Sequence, residues 1–361
     1  MADDDAAFSR LRLIRSPRIG PVSYRQLIAR FGSAAAALDA LPDLAQRGGG
    51  RGATIADAGA VRREMATAAK LRARYLFLDE PDYPALLAEM ENAPPVLLVR
   101  GDLALVHRPC VAIVGARNAS AAACRFARQI GQGLGDAGVT IVSGLARGID
   151  TAAHVGSLSG GTVGVIASGI DIAFPPENRE LQEQVATQGV LIAEQPPGAE
   201  PLARHFPSRN RIIAGLAQGT VVVEAAPRSG SLITARIAGE VGREVMAVPG
   251  SPLDPRAQGC NLLIREGATL VQGVDDILEM IRPIDPRAVR APGNPFDAGP
   301  AADPDDAARH RIEGLLGPVP VPVDELIRQA GAPPASVQLV LLELELAGRL
   351  DRHAGGRVSL R

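Results

Sequence analysis

Continuous apolar runs, each followed by a stretch with helical spacing, dominate the middle of this chain. They cover residues 96–99, 111–114, 139–142, 162–166, 190–193, 220–224, 244–248 and 269–271. They return at intervals of roughly 20–30 residues, the repeat of a strand, a turn and a helix. The runs do not alternate apolar with polar, as suits strands covered on both faces of their sheet. Helical segments at 120–136, 149–159, 178–188, 207–217 and 231–241 would supply that cover. The pattern predicts an α/β fold, a Rossmann-like doubly wound parallel sheet with ligands at the carboxyl ends of its strands.

The flanks read differently. Residues 1–76 form a helical domain, in which Tyr24, Leu27, Ile28 and Phe31 recur at helical spacing after Gly20-Pro21. That Gly-Pro step is a tight turn between two helices. Such a turn either presents N–H groups to a DNA phosphate or merely connects. The run Arg47–Gly52 reads as a flexible loop. The Rossmann-like domain spans 77–284, and a proline-rich linker spans 285–304. Residues 305–361 give three helical patterns and two short strands around Ala354-Gly355-Gly356, the signature of a winged helix. The third helix of a winged helix usually enters duplex DNA. Here it carries Glu343 and Glu345 and no basic residue before Arg349. It suits protein contact or dimer packing better than duplex reading.

Composition excludes several classes. The net charge of −2 rules out a uniformly basic coat, so an anion site must be a local patch. Lys70 is the only lysine among 38 basic residues. Cationic contacts are therefore planar guanidinium forks, which suit phosphate, although heavy use of Ala, Gly and Pro also reflects a GC-rich genome. Cys110, Cys124 and Cys260 form no disulfide framework or zinc spacing, which fits a reducing cytoplasm. The start, Met1-Ala2-Asp3-Asp4-Asp5, lacks the apolar region of a signal peptide. No apolar run reaches the roughly 20 residues of a membrane span. The five histidines show no metal-ligand spacing, and no cofactor is expected.

The chemistry concentrates in four places. Gly115-Ala116-Arg117-Asn118-Ala119-Ser120 follows a strand and opens a helix, a phosphate loop by position. It is neither G-x-G-x-x-G nor a Walker loop. Ser143-Gly144-Leu145-Ala146-Arg147-Gly148-Ile149-Asp150 follows the next strand, with glycines for close backbone approach and Arg147 for phosphate. Asp150 suits a loop-orienting role, with His154 as its partner. The segment Arg204–Arg211, R-H-F-P-S-R-N-R, packs Arg204, Arg209 and Arg211 beside Phe206, which is able to stack on a base or to sit in the core. Ser229-Gly230-Ser231 opens a helix whose free N–H groups attract phosphate. Glu224, just before that turn, either orients it or is a catalytic carboxylate.

These runs carry a resemblance. V-A-I-V-G-A-R (111–117), S-G-L-A-R-G-I-D-x-x-A-H (143–154), P-x-x-N (175–178), F-P-x-R-N-R-I-I-A-G-L (206–216), S-G-S-L-I-T-A-R (229–236), V-P-G (248–250) and G-C-N-x-L-I-R-E-G-A (259–268) are similar to the DNA-processing DprA/Smf family. The likeness covers about residues 80–275, and the helical start and winged-helix tail resemble that family's flanking domains, the first of SAM or helix-hairpin-helix type. It implies a non-enzymatic protein that binds single-stranded DNA without sequence preference, forms a homodimer, and helps to load RecA recombinase in natural transformation and recombination. The DNA-contacting positions it implies are Arg117, Gly144, Arg147, Gly148, Arg204, Phe206, Arg209, Asn210, Arg211, Ser229, Gly230 and Ser231. Two departures stand out. Ala116 replaces a common serine, and Pro176-Glu177 occupies a run that commonly carries a basic residue.

Two rival readings remain open at this point. A Rossmann-like sheet with a strand-end glutamate also resembles the LOG-type nucleotide phosphoribohydrolases. The turn Pro227-Arg228-Ser229-Gly230-Ser231-Leu232 lacks their second glycine and downstream glutamate. In the third reading the winged helix binds a protein partner and the sheet is vestigial.

Overall fold

The structure, a computed structural model, describes residues 2–49, 54–281, 303–353 and 355–361. The expected linker therefore lies outside the described residues except for its last two, and so does the second half of the 47–52 loop. The chain divides into two compact units, Glu64–Val289 and a second made of Met1–Arg63 with Arg290–Arg361.

In chain order the elements are α1 (Ala2–Arg15), α2 (Pro21–Phe31), α3 (Ala34–Arg47), α4 (Ala58–Lys70), β1 (Arg74–Phe77), α5 (Ala85–Ala88) and β2 (Val96–Gly101). Next come β3 (Cys110–Val114), α6 (Ala121–Asp136), β4 (Thr140–Ser143), α7 (Ile149–Ser157), β5 (Thr162–Ile166), α8 (Arg179–Gln188) and β6 (Val190–Ala193). The sheet unit closes with α9 (His205–Leu216), β7 (Gly219–Val222), α10 (Gly230–Glu240), β8 (Glu244–Ala247), α11 (Gln258–Arg265), β9 (Thr269–Leu270) and α12 (Val274–Ile281). The tail holds α13 (Asp306–Gly314), β10 (Val321–Pro322), α14 (Val323–Ala330), α15 (Pro334–Leu346), β11 (Leu350–His353) and β12 (Arg357–Leu360).

The sheet unit is built on nine strands in the order β1-β2-β6-β5-β4-β3-β7-β8-β9. Strands β3 to β9 pair in parallel, as the apolar runs require. One expectation is corrected here. The run at 96–99 pairs antiparallel with β6, and β1 pairs antiparallel with it in turn. The link from β1 to β2 carries only the one-turn α5 and no full crossover helix, in keeping with an antiparallel pair at the sheet's edge. Side chains alternate across the sheet. Ala112 and Val114 of β3 join a core with Ile212, Ile213, Leu216, Ala235 and Cys260, and Val111 and Ile113 join the opposite one with Ile130, Leu134, Ile149 and Ile277. Chain direction along the sheet reverses at β3, since β4, β5 and β6 extend to one side and β7, β8 and β9 to the other. The crevice between β3 and β7 is the switch point where such folds bind ligands.

In the other unit, the winged helix has its three-stranded sheet β10-β12-β11 and the helices α13, α14 and α15. Helix α15 is apolar over most of its circumference. Val337, Val340, Leu341 and Leu344 fill the winged-helix core, whereas Leu339, Leu342 and Leu346 pack into the core of α2 and α3 with Leu27, Leu38 and Leu41. A helix this apolar is a buried helix. The backbone of α3's end comes so close that a Cβ on Gly48 would lie 2.1 Å from the Glu343 carbonyl oxygen. Polar contacts complete the joint, with Arg18 donating to the Leu346 carbonyl (3.2 Å) and Gln26 bonded to Gln338 (2.8 Å). The partner of the third helix is the chain's own N-terminal helical domain. Glu343 is 2% exposed and accepts from the Arg309 guanidinium at 3.0 and 3.2 Å. It faces an internal cation rather than solvent.

Candidate nucleic-acid interface

The loops that follow β3 and β7 meet at the switch point. The first is held to the second by the Ala116 N–H donating to the Glu224 carbonyl (2.6 Å) and the Ser120 N–H donating to Glu224 Oε2 (2.8 Å). The Glu224 carboxylate therefore orients the loop after β3 rather than its own turn. Ser120 caps α6, and Ser229 caps α10 by accepting from the Ser231 N–H. Helix α10 starts at the crevice, and its positive end faces it. The loop after β3 and the start of α10 bound a cleft of about 820 Å³. Arg117, Phe206, Arg209, Asn210, Ser229, Gly230 and Ser231, all expected at the site, line it.

The third loop, 143–148, is shaped from inside. Asp150 Oδ2 accepts from the N–H groups of Gly144 (3.1 Å) and Ala146 (3.4 Å), the loop-orienting role expected of it. Leu145 sits at φ +53° and Gly148 at +74°. A Cβ on Gly148 would lie 2.3 Å from the Ala116 carbonyl oxygen, so the backbone approach between the two loops needs glycine there. The pairing of Asp150 with His154 is not formed. His154 is fully buried, its Nδ1 bonded to Thr162 Oγ1 at 2.8 Å. Burial, with the nearby Arg209 charge, pushes its pKa down to about 3. It is a neutral core histidine.

Arg209 is the most constrained cation of the cleft. It is 7% exposed, its Nη1 lies 3.9 Å from Asp150 Oδ2, and its Nε has no hydrogen-bond partner. Burial lowers its pKa and raises that of Asp150, while each charge opposes the shift in the other. Gly144 makes room for it, since a Cβ there would fall 1.4 Å from Nη1. A buried guanidinium with unspent donors at the floor of a cleft is a ready anion receptor. Above it, Arg117 lies over the Phe206 ring at 5.3 Å, and Phe174 meets Phe206 edge-on at 5.7 Å.

Not every expected residue converges. Arg211 turns away from the cleft, bonded to the Asn92 carbonyl (2.6 Å) and to the Glu194 carboxylate, and is 8% exposed. It fastens α9 to the body of the unit. Helical geometry explains the split, because residues two apart face different sides of a helix. Arg204 is exposed at the N-cap of α9 and lines neither cavity of this region. Gly148 supports the loops without lining the cleft. Arg147 and Gly144 line a smaller adjoining cavity of about 110 Å³.

Sequence reasoning missed Phe174, Arg228 and Arg256. Arg228 and Arg256 line the large cleft, and Phe174 the small one. Arg228 stood directly before the Ser229 turn and Phe174 directly before P-x-x-N, so both adjoined recognised motifs. Arg256 lies beyond β8, and only the fold brings it back, to within 3.9 Å of Glu224. Among the described residues, Arg117 and Arg228 have no carboxylate at ion-pairing distance, whereas Arg256 binds Asp254 at 2.9 Å.

Fold and site thus define a Rossmann-like protein with an arginine-lined, aromatic-flanked anion cleft at its switch point. The comparisons with known proteins agree in every domain. The profile of DNA recombination-mediator protein A matches residues 74–282, that of the DprA-like N-terminal HHH domain residues 4–67, and that of the DprA winged helix domain residues 296–356. The chain is 47% identical over 198 residues to DNA processing protein DprA of Streptococcus pneumoniae, covering 54% of this chain and 70% of that one. It is 41% identical over 288 residues to protein Smf of Escherichia coli, covering 78% and 76%. The X-ray structure of the S. pneumoniae protein superposes with a TM-score of 0.61 at 36% identity, over 75% of this chain and 95% of that one. The chain belongs to the DprA/Smf family of DNA recombination mediators.

Proposed function

We propose that the cleft binds single-stranded DNA through its phosphates and unpaired bases, without sequence preference, and presents the strand for recombination. The observation that carries this reading is the convergence of Arg117, Arg209, Arg228 and the N-terminus of α10 on one cleft, with Phe206 at its edge. Guanidiniums and amide hydrogens answer phosphate, and an aromatic edge answers the face of any base. A recombination mediator passes its strand onward, so a RecA-type recombinase in the cytoplasm is the proposed recipient. A homodimer is proposed as the working form. Leu253 (90% exposed) and Leu270 (40% exposed, on the edge strand β9) are the apolar side chains that pairing would cover.

We read the protein as a binder rather than an enzyme. The carboxylates of the cleft are committed to the scaffold, Asp150 to two loop amides and Glu224 to the Ser120 amide. No helix among the described residues is long and apolar enough to cross a membrane.

The test is fluorescence anisotropy of labelled single-stranded oligonucleotides against duplex and free-nucleotide competitors, over a salt series. Four to six phosphate contacts on a single strand give a log–log salt slope of about −3 to −4. Arg117→Ala should weaken oligothymidylate and mixed sequences alike. A loss confined to one base composition would contradict phosphate contact. Release of free base on incubation with AMP or a cytokinin-type nucleotide would instead establish the phosphoribohydrolase reading.

A further inference from the structure

Arg147 points into the smaller cavity beside the main cleft, together with Arg117, Phe174, Phe206 and Arg209. Its guanidinium is already engaged. Nε donates to Oε1 of Glu177, and both side chains are exposed, at 62% and 50%. The contact lowers the pKa of the Glu177 carboxyl and raises that of the Arg147 guanidinium.

The loops bearing the two charges are fastened together by the adjacent residue. Asn178 Nδ2 donates to the Leu145 carbonyl and to Thr151 Oγ1, both at 2.9 Å. Glu177 is therefore carried on a loop tied to the 143–148 loop, and the ion pair forms with little further ordering of backbone. Arg117 and Arg228, by contrast, meet no carboxylate among the described residues.

We propose that Glu177 is a built-in competitor that withholds Arg147 from the DNA strand and so sets the affinity of the site. This rests on the single-strand reading above. Glu177 engages the Nε–H edge of Arg147, so a phosphate that needs that edge must displace the carboxylate, and one that approaches through Nη1 and Nη2 shares the guanidinium with it. The cleft then works with one phosphate contact fewer than its arginines would supply, and its affinity is adjustable at Glu177 without touching a DNA-contacting group.

The experiment is a double-mutant cycle on the full chain, with a fluorescent single-stranded oligothymidylate and a sodium chloride series. The proteins are the unmodified chain, Glu177→Gln, Arg147→Ala and the double variant. Glu177→Gln should tighten binding by about two- to fivefold at low salt, the range of an exposed ion pair. It should also steepen the log–log slope by about 0.7, one phosphate contact. Arg147→Ala should change affinity by about twofold at most while Glu177 is present, and should abolish the whole gain in the Glu177→Gln background. Thermal midpoints, expected to agree among the four proteins, separate binding effects from folding. Equal tightening by Glu177→Gln with and without Arg147 would mean simple charge repulsion and would overturn the proposal. So would a tenfold loss for Arg147→Ala alone. A chain that binds the strand but ignores Glu177→Gln overturns this proposal only, and one that does not bind at all overturns the single-strand reading with it.

Discussion

The switch-point cleft and the third helix of the winged helix are both places where proteins of their folds meet nucleic acid, and here their physical states are opposite. At the cleft, guanidiniums and the N-terminus of α10 face open space, and Arg117 and Arg228 have no carboxylate at ion-pairing distance among the described residues. In α15, apolar side chains fill two cores at once, and the acidic side chains bind Arg309 and Arg352. The difference teaches that a fold's customary interface is only a prior. Exposure and the fate of each charge decide whether it is used. Here the reading helix of the winged helix is packed against α2 and α3.

The comparison is best broken first at Arg209. Its removal takes away the ion-pair partner of the buried Asp150 carboxyl, so Arg209→Ala should cost about 3–5 kcal/mol of stability in urea unfolding, besides weakening the strand complex. A variant with unchanged stability would show that the pair is not the anchor of the cleft. Leu342→Ala, at the joint of α15 with the helical domain, should cost about 2–5 kcal/mol of stability and leave oligonucleotide affinity as it was. A parallel loss of affinity would mean that the two regions share a role. Phe206→Ala should cost about 1–3 kcal/mol of binding, read by anisotropy, if a base stacks on that ring; no loss would return Phe206 to the core.

The last effect is graded with pH, small near neutrality and growing as the solution is acidified. His154 is held neutral in the fold, with its pKa down from 6.5 to about 3. Above pH 6.5 both folded and unfolded chains carry it neutral and it has no effect. As pH falls from 6.5 towards 3, only the unfolded chain takes up the proton, so stability should decline by about 1.4 kcal/mol per pH unit from this group. His154→Gln should flatten that limb of a urea-midpoint series, and an unchanged acid limb would place the histidine in contact with solvent.

Much of this was legible from residue order. The strands from 111 to 271 fall where the apolar runs stood, and Ser120 and Ser229 cap helices as small hydroxyl residues after a strand should. Asp150 orients its loop as its position in the first turn of a helix suggested. Other features resisted such reading for identifiable reasons. Arg209 and Arg211 are two residues apart in one arginine-rich segment, and only the rotation of α9 puts the first into the cleft and the second against Glu194. The partner of Glu224 is Ser120, more than a hundred positions earlier. Glu343 and Glu345 looked like a repelling surface because their countercharges, Arg309 and Arg352, are supplied by other elements.

The sequence by itself determined the alternation of strand and helix, the burial of the sheet on both faces and the presence of anion-binding turns, because these follow from backbone repeat and local capping chemistry. Tertiary structure alone decided that β3 and β7 lie side by side, that β2 joins the sheet antiparallel, and which arginines keep their donors open. The physical reason is distance along the chain. Periodicity is set by neighbours three or four residues away, whereas the countercharge of an arginine and the cover of a helix come from segments that only the folded topology brings together.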